Sequence, residues 1–276
     1  MLTQERKREL EALCGKFRVE LIEQLHSIQT GHPGGSLSIC EFMTALYFEK
    51  ATVTPQNPKA PERDRIILSK GHAAPMLYLI LGELGFFPKS DFKNLRQFGC
   101  HLQGHPCSLH TPGVEISAGP LGMGLSVGVG KALSLKQDKN DAQVYVILGD
   151  GELNEGTIWE AAMAANKFKT ANLTAIVDRN GVQLDGTSDD IMPLGPLDAK
   201  WRAFGWNVLE CDGHDLTQVC DAIDAAKAYT QGPTVIIANT VKGKGVSFME
   251  GKNIWHGSPI SADDYKQAIQ ELGKGA

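Results

Sequence analysis

The chain has 276 residues, 42% of them hydrophobic and 21% charged, and a formal net charge of -5. That length fits one large domain or two small ones, and the composition excludes a disordered chain. The acidic balance leaves no basic footprint for nucleic acid, and no apolar run approaches the roughly 18 residues of a membrane span. The amino terminus, MLTQERKRELEAL, lacks the apolar segment of a secretory signal, so a cytoplasmic location is expected. Cysteines at 14, 40, 100, 107, 211 and 220 include no C-x-x-C pair and read mostly as buried free thiols. The local cluster of Cys100, His101, His105 and Cys107 fits no standard zinc spacing.

The first predicted helix covers residues 3–28, where Leu10, Leu13, Phe17, Leu21, Leu25 and Ile28 recur at three- and four-residue steps. Three glycines and a proline in Gly31-His32-Pro33-Gly34-Gly35 then read as a break. It is either a plain loop carrying an exposed His32 or a backbone that another group approaches closely. A helix over 39–50, a proline-rich connector and a short strand over 65–69 follow. His72 sits at the next strand-to-helix turn, as a cap or facing a ligand, before an apolar helix over 73–84 that Gly85 ends.

Residues 100–119 have no periodicity and read as a functional or mobile loop. Glycines 119, 122, 124, 128 and 130 open a small-residue helix reaching about Lys136. They lack the register of a dinucleotide or phosphate loop, so close helix packing and access for a planar ligand are the better reading. Strands over 144–148 and 173–177 flank a crossover helix over 152–169, which makes the two strands parallel neighbours. After a loop over 186–198 come strands over 208–211 and 234–238 around a helix over 216–229. The stretch from 242 to 259 is glycine-rich and irregular, with two lysines that are solvated or meet a phosphate. A last helix is capped by Ser261 and Asp264.

The chemistry concentrates in GDGELNEG, which begins at Gly149, and DRNGVQLDG, which begins at Asp178. Each follows an apolar strand, so Asp150 and Asn180 come together at neighbouring carboxyl ends, where open α/β sheets bind ligands. A carboxylate, an amide oxygen and a nearby carbonyl such as that of Val182 suit Mg²⁺ or Ca²⁺ completed by phosphate oxygens. Gly149 and Gly151 would turn backbone amides, supported by the helix dipole, toward a diphosphate. The plainer alternative makes Asp150 and Asn180 ordinary cap and turn residues.

These two segments resemble the thiamin-diphosphate signature, and their flanks narrow the resemblance to the transketolase family. GHPGG at 31–35, SKGHAAP at 69–75, GHP at 104–106, SAGPLGMG at 117–124, GDGELNEGTIWEA at 149–161 and HGSP at 256–259 look like that family's motifs, in order. The resemblance implies a doubly wound α/β fold with a mostly parallel sheet and helices on both faces, as a single diphosphate-binding domain over 1–276. It implies Asp150, Asn180 and the Val182 carbonyl as ligands of Mg²⁺ or Ca²⁺. His72, Gly119, Pro120, Leu121, Asp150, Gly151, Glu155, Asn180 and His256 would bind thiamin diphosphate. His32, His72, His105 and His256 would bind sugar hydroxyls and move protons. Glu155 and Glu160 match acidic positions near the interface between cofactor-binding domains, and Glu155 would link paired sites.

Two departures stand out. Gly-Ser-Leu-Ser after Gly34 and Arg179 beside Asn180 differ from many one-piece members and leave the sugar open. The family's pyrimidine-binding domain, with its activating glutamate, has no counterpart here. The expectation is therefore the amino-terminal subunit of a split transketolase, active with a carboxyl-terminal partner as an α₂β₂ heterotetramer with a homodimer core. It would pass a two-carbon glycolaldehyde unit from a ketose phosphate to an aldose phosphate in the pentose phosphate pathway. A sulfosugar or branched-sugar transketolase and a non-catalytic thiamin-diphosphate-binding homologue are the alternatives.

Overall fold

The structure, a computed structural model, describes residues 2–273. Its centre is a sheet of strands β1 (Arg65–Leu68), β2 (Val144–Gly149), β3 (Leu173–Arg179), β4 (Asn207–Asp212) and β5 (Thr234–Asn239). All pairs are parallel, in the order β1-β2-β3-β5-β4. This order depends on contacts between distant segments, so the sequence leaves it unread.

Alternation along each strand explains the near-continuous apolar runs, because both faces are covered. Tyr145, Ile147, Ile176 and Ile236 enter one core, while Val144, Val146, Leu148, Leu173, Ala175, Val177, Val235 and Ile237 enter the other. The first core packs beneath α1 (Gln4–Ile28), α3 (Cys40–Ala45), α4 (Ala74–Leu84), α9 (Leu216–Ala228) and α10 (Ala262–Leu272). The second packs beneath α5 (Met123–Gln137), α6 (Gly156–Lys167) and α8 (Leu197–Ala203). The doubly wound α/β expectation is met.

Local corrections concern helix starts. Gly34 and Gly35 do not break the chain: they lie inside α2 (Pro33–Ser38), with Pro33 at its first position and His32 as N-cap. Proline pre-sets the backbone dihedral there and lacks only an amide hydrogen that would have no partner anyway. A wider turn, Leu46–Lys50, extends α3. The crossover opens as a tight 3₁₀ turn at Gly151–Asn154, and α6 starts only at Gly156. The amides beside Asp150 therefore do not begin an α-helix, and the anticipated helix dipole is displaced from them. Residues 186–198 are not all loop, since α7 (Ser188–Ile191) forms there with Thr187 as its cap. At α10 the Ser261–Asp264 capping box is present as expected.

Among the described residues no helix is long and apolar enough to cross a membrane. All six cysteines are free, with 14, 40, 211 and 220 buried and 100 and 107 half-buried.

Candidate active site

Four strand ends deliver the site. β1 runs into Ser69, Lys70 and His72; β2 into Asp150 and Glu152; β3 into Asp178, Asn180 and Val182; β5 into Thr240 and Lys242. The parallel register sets Gly149 opposite Asp178, so the two signature turns adjoin as anticipated.

Asp150 Oδ1 accepts from the Gly151 amide at 2.8 Å, and Oδ2 accepts from the Gly181 amide at 2.7 Å and from Ser188 Oγ at 3.2 Å. Burial, with the neighbouring Asp178 charge, pushes the Asp150 carboxyl up to about 6. Asn180 Oδ1 accepts from the Val182 amide at 3.1 Å, and the Val182 carbonyl accepts from Lys242 Nζ at 3.3 Å. The Asp150 carboxylate, the Asn180 amide oxygen and the Val182 carbonyl thus stand on adjoining turns, with the last held by Lys242. That donor set fits a hard divalent cation. Through its bond from the Gly151 amide, Asp150 also caps the turn that follows it.

Beneath the corner lies a hub that the sequence does not reveal. Asp178 is fully buried and ion-paired with Lys70, which is also fully buried. Ser38 Oγ donates to Asp178 at 2.6 Å, Asn180 Nδ2 at 3.2 Å, and Thr240 also donates. Burial alone would raise this carboxyl; the Lys70 charge and the hydrogen bonds hold it below the usual range. By taking the Asn180 NH₂, Asp178 fixes which way that amide oxygen faces.

Glu152, equally inconspicuous in the sequence, ties two glycine turns together. It accepts from the Gly122 amide at 2.8 Å, the Gly149 amide at 3.0 Å and Ser69 Oγ. The Gly149 N–H is therefore committed internally rather than facing a ligand, which corrects that part of the expectation. Gly122 has φ +84°, and a Cβ there would meet Thr157 Oγ1 at 2.6 Å, so only glycine suits this turn. Just before it Gly119 faces open space, and Pro120 and Leu121 are exposed. Glu155, the N-cap of α6, and Glu160 within it are both exposed.

The four histidines converge. Ring centroids are 5.7 Å apart for His32 and His72, 6.1 Å for His32 and His105, 5.5 Å for His32 and His256, and 5.0 Å for His72 and His256. Glycines make the room: a Cβ on Gly35 would stand 3.0 Å from His72 Nε2, and one on Gly71 would stand 3.3 Å from His105 Cδ2. Burial pushes all four imidazoles down, His32 to about 4 and His256 to about 3, with further lowering from Arg96 at His32 and from Lys242 at His256. They are neutral at neutral pH and can both donate and accept.

Lys242 is not solvated. Its ammonium, 2.9 Å from His256 Nδ1, can only donate, which leaves the ring hydrogen of neutral His256 on Nε2. Burial, with Lys70 nearby, lowers Lys242 to about 8. A buried brace holds the backbone before it: Arg18 pairs with Glu41 at 2.5 Å, Glu41 with His214 Nδ1 at 2.9 Å, and His214 Nε2 accepts from the Val241 amide at 2.9 Å.

Comparison with known proteins identifies the family. The family model of the transketolase thiamine diphosphate binding domain matches residues 11–275. One subunit of an apulose-4-phosphate transketolase from Phocaeicola vulgatus is 43% identical over 96% of this chain and 94% of its own length. A subunit of a 6-deoxy-6-sulfo-D-fructose transketolase from a Clostridium species is 42% identical over 98% of both chains. Human transketolase is 37% identical over 98% of this chain but only 43% of its own. The crystal structure of Pichia stipitis transketolase with sedoheptulose 7-phosphate superposes with a TM-score of 0.91 at 33% identity, covering 96% of this chain and 40% of that one. The chain belongs to the transketolase family and corresponds to its thiamine diphosphate binding domain.

Proposed function

We propose that this chain is the diphosphate-binding subunit of a split transketolase, transferring a two-carbon ketol unit from a ketose to an aldose together with a separate partner chain. One observation carries the reading: four neutral histidines cluster one lysine away from the oxygen donors of Asp150, Asn180 and Val182, since Lys242 reaches both His256 and the Val182 carbonyl. The corner would hold Mg²⁺ or Ca²⁺ and through it a diphosphate, with Gly119, Pro120, Leu121 and Gly151 along the cofactor. Thiamin diphosphate supplies a nucleophilic carbon and an electron sink for cleaving a carbon–carbon bond beside a carbonyl.

This chain's residues bind and move protons around that chemistry. The His32 Nδ1 is buried without a partner, an open position for a substrate hydroxyl. His256 Nε2–H is aimed by Lys242 on the other side of its ring and can donate to a sugar oxygen. His72 and His105 complete the cage, and a neutral imidazole there can take a hydroxyl proton and return it. Lys242, which holds the Val182 carbonyl, would carry its charge beside a bound diphosphate and could donate to one of its oxygens.

Support for a partner comes from length and surface. The relatives that match end to end are named as subunits, and Leu184, Ile191, Met192 and Ile254 are exposed apolar residues. Leu184 is tied beside Ile254 through Asn253 at 3.3 Å, next to the Val182 turn. A second chain would cover them and supply the pyrimidine-side acid. An α₂β₂ assembly follows if each chain also pairs with its own copy, with Glu155 and Glu160 near that contact.

The test is ketol transfer from xylulose 5-phosphate to ribose 5-phosphate, with and without a co-expressed partner chain. Turnover only with the partner is expected; equal turnover by the chain alone would end the split-subunit reading. A second reading, a branched-sugar or sulfosugar donor, is favoured by the names of the two subunit relatives. The same assay with apulose 4-phosphate and 6-deoxy-6-sulfofructose separates the two.

A further inference from the structure

The end of the sheet opposite the histidine cage carries a cavity that the proposed chemistry does not use. It measures about 540 Å³ and lies at the amino ends of β2, β3 and β5, where α5, α6 and α9 end. Four lysines line it, Lys136, Lys139, Lys169 and Lys227, against one carboxylate, Asp141. That leaves a surplus of three positive charges in a chain whose net charge is -5. Tyr229, half-buried, is also part of the wall.

Helix carboxyl ends draw cations by themselves, and two of the four lysines are accounted for by such local partners. Lys136 Nζ donates to the Phe168 and Lys169 carbonyls at 2.9 and 3.1 Å, and Lys169 Nζ donates to Asn166 Oδ1 at 2.9 Å. Lys139 and Lys227 are exposed and, among the described residues, bond to no carbonyl and no carboxylate. Asp141 does not neutralise the group, since among the described residues it forms no ion pair with any of the four.

The backbone adds an independent sign. Lys139 and Lys169 have φ +55° and +50°, the left-handed form just past α5 and α6. Glycine fills such positions with less conformational strain. At two helix ends the chain thus sets a lysine where glycine fits better, and both lysines line the same cavity.

We propose that this cavity is a binding site for a polyphosphate chain, that of a nucleoside triphosphate or of inorganic polyphosphate. Four ammonium groups spread around a volume of this size suit an anion with several charges along its length better than a single phosphate. Each ammonium is a compact point charge with rotatable donors, which meets phosphate oxygens from many directions. Tyr229 offers a ring on which a base can stack. The cavity lies at the opposite strand ends from Asp150 and Asn180, so it can be filled together with the cofactor site. The inference does not depend on the ketol-transfer reading.

Calorimetry of the full chain without divalent cations, titrated with tripolyphosphate, ATP and adenosine, tests this. Saturable binding of one tripolyphosphate or one ATP per chain is expected, weakening as salt rises, and no binding of adenosine alone. Joint Lys139→Gln and Lys227→Gln substitution, at exposed side chains without partners, should weaken both anions about tenfold or more. Asp141→Asn removes the opposing charge and should tighten them a few-fold, a gain that damage to the fold cannot imitate. Asp150→Ala should leave them unchanged, which separates this site from the cofactor corner.

ATP binding tighter than tripolyphosphate, with the difference lost in Tyr229→Leu, assigns the site to nucleotides; equal affinities assign it to inorganic polyphosphate. The proposal is overturned by no saturable binding below about 1 mM, by unchanged affinity in the double lysine variant, or by loss of binding in Asp150→Ala.

Discussion

Lys242 donates to the main-chain carbonyl of Val182 at 3.3 Å, so an ammonium holds the oxygen proposed as a cation ligand. A cation and this lysine compete for one lone-pair site, whereas a phosphate attracts both. Lys242→Met should therefore bind Mg²⁺ alone a few-fold more tightly, yet bind thiamin diphosphate with Mg²⁺ about tenfold more weakly, through loss of a charge-assisted contact. Calorimetry with each ligand checks the opposite signs; weakening of both would show that Lys242 only supports the fold.

Asp150 is the one charged oxygen of the corner, with Asn180 and Val182 contributing neutral dipoles. Asp150→Ala should remove metal-dependent thiamin diphosphate binding. Unchanged calorimetric affinity in that variant would place the metal elsewhere.

The Lys70–Asp178 pair is a stability element as well as a foundation. Lys70→Met would strand a carboxylate that is fully buried, at a cost of about 3–5 kcal/mol. Adding Asp178→Asn removes the stranded charge and should recover part of that loss. Urea unfolding of the single and double variants reads this directly. The double variant should also weaken cofactor binding, because there Asn180 loses the carboxylate that orients its amide.

The histidine cage sets an acid limit. His32 and His256 are lowered from 6.5 to about 4 and about 3, so the unfolded chain binds more protons than the folded one across that interval. Stability should be full above about pH 6.5 and fall as pH drops through the window. Asp150, raised from 3.8 to about 6, opposes this trend: its contribution is present below about 4 and lost as pH rises through about 6. With two histidines against one carboxyl, the net slope is acid-destabilising. His32→Asn and His256→Asn should each flatten it, as measured by urea midpoints between about pH 7 and pH 5.

What the sequence shows and hides follows from locality. Strands are legible because runs such as 144–148 and 173–177 are buried on both faces, and the Asp150 and Asn180 turns follow directly from them. The four histidines are legible as types within motifs; their meeting needs the fold. Lys70, Glu152 and Asp178 look in sequence like any solvated charge, since burial is decided by segments far away. A faint sign exists for Asp178, which directly continues an apolar run without a turn residue between. Gly34 and Gly35 mislead because their usual meaning is a break, whereas here the missing side chains admit Lys242, Trp255 and His72.

The brace from Arg18 through Glu41 to His214 has a kinetic meaning. The Val241 amide hydrogen is held by a side-chain nitrogen rather than by a strand partner, and freeing it means dismantling buried charges. Opening of this segment should thus require nearly global unfolding, and Val241 should rank among the slowest amides in hydrogen exchange. The backbone that presents Lys242 is in that sense part of the rigid body of the protein, and the give needed to admit and release ligands has to come from other sides of the cavity.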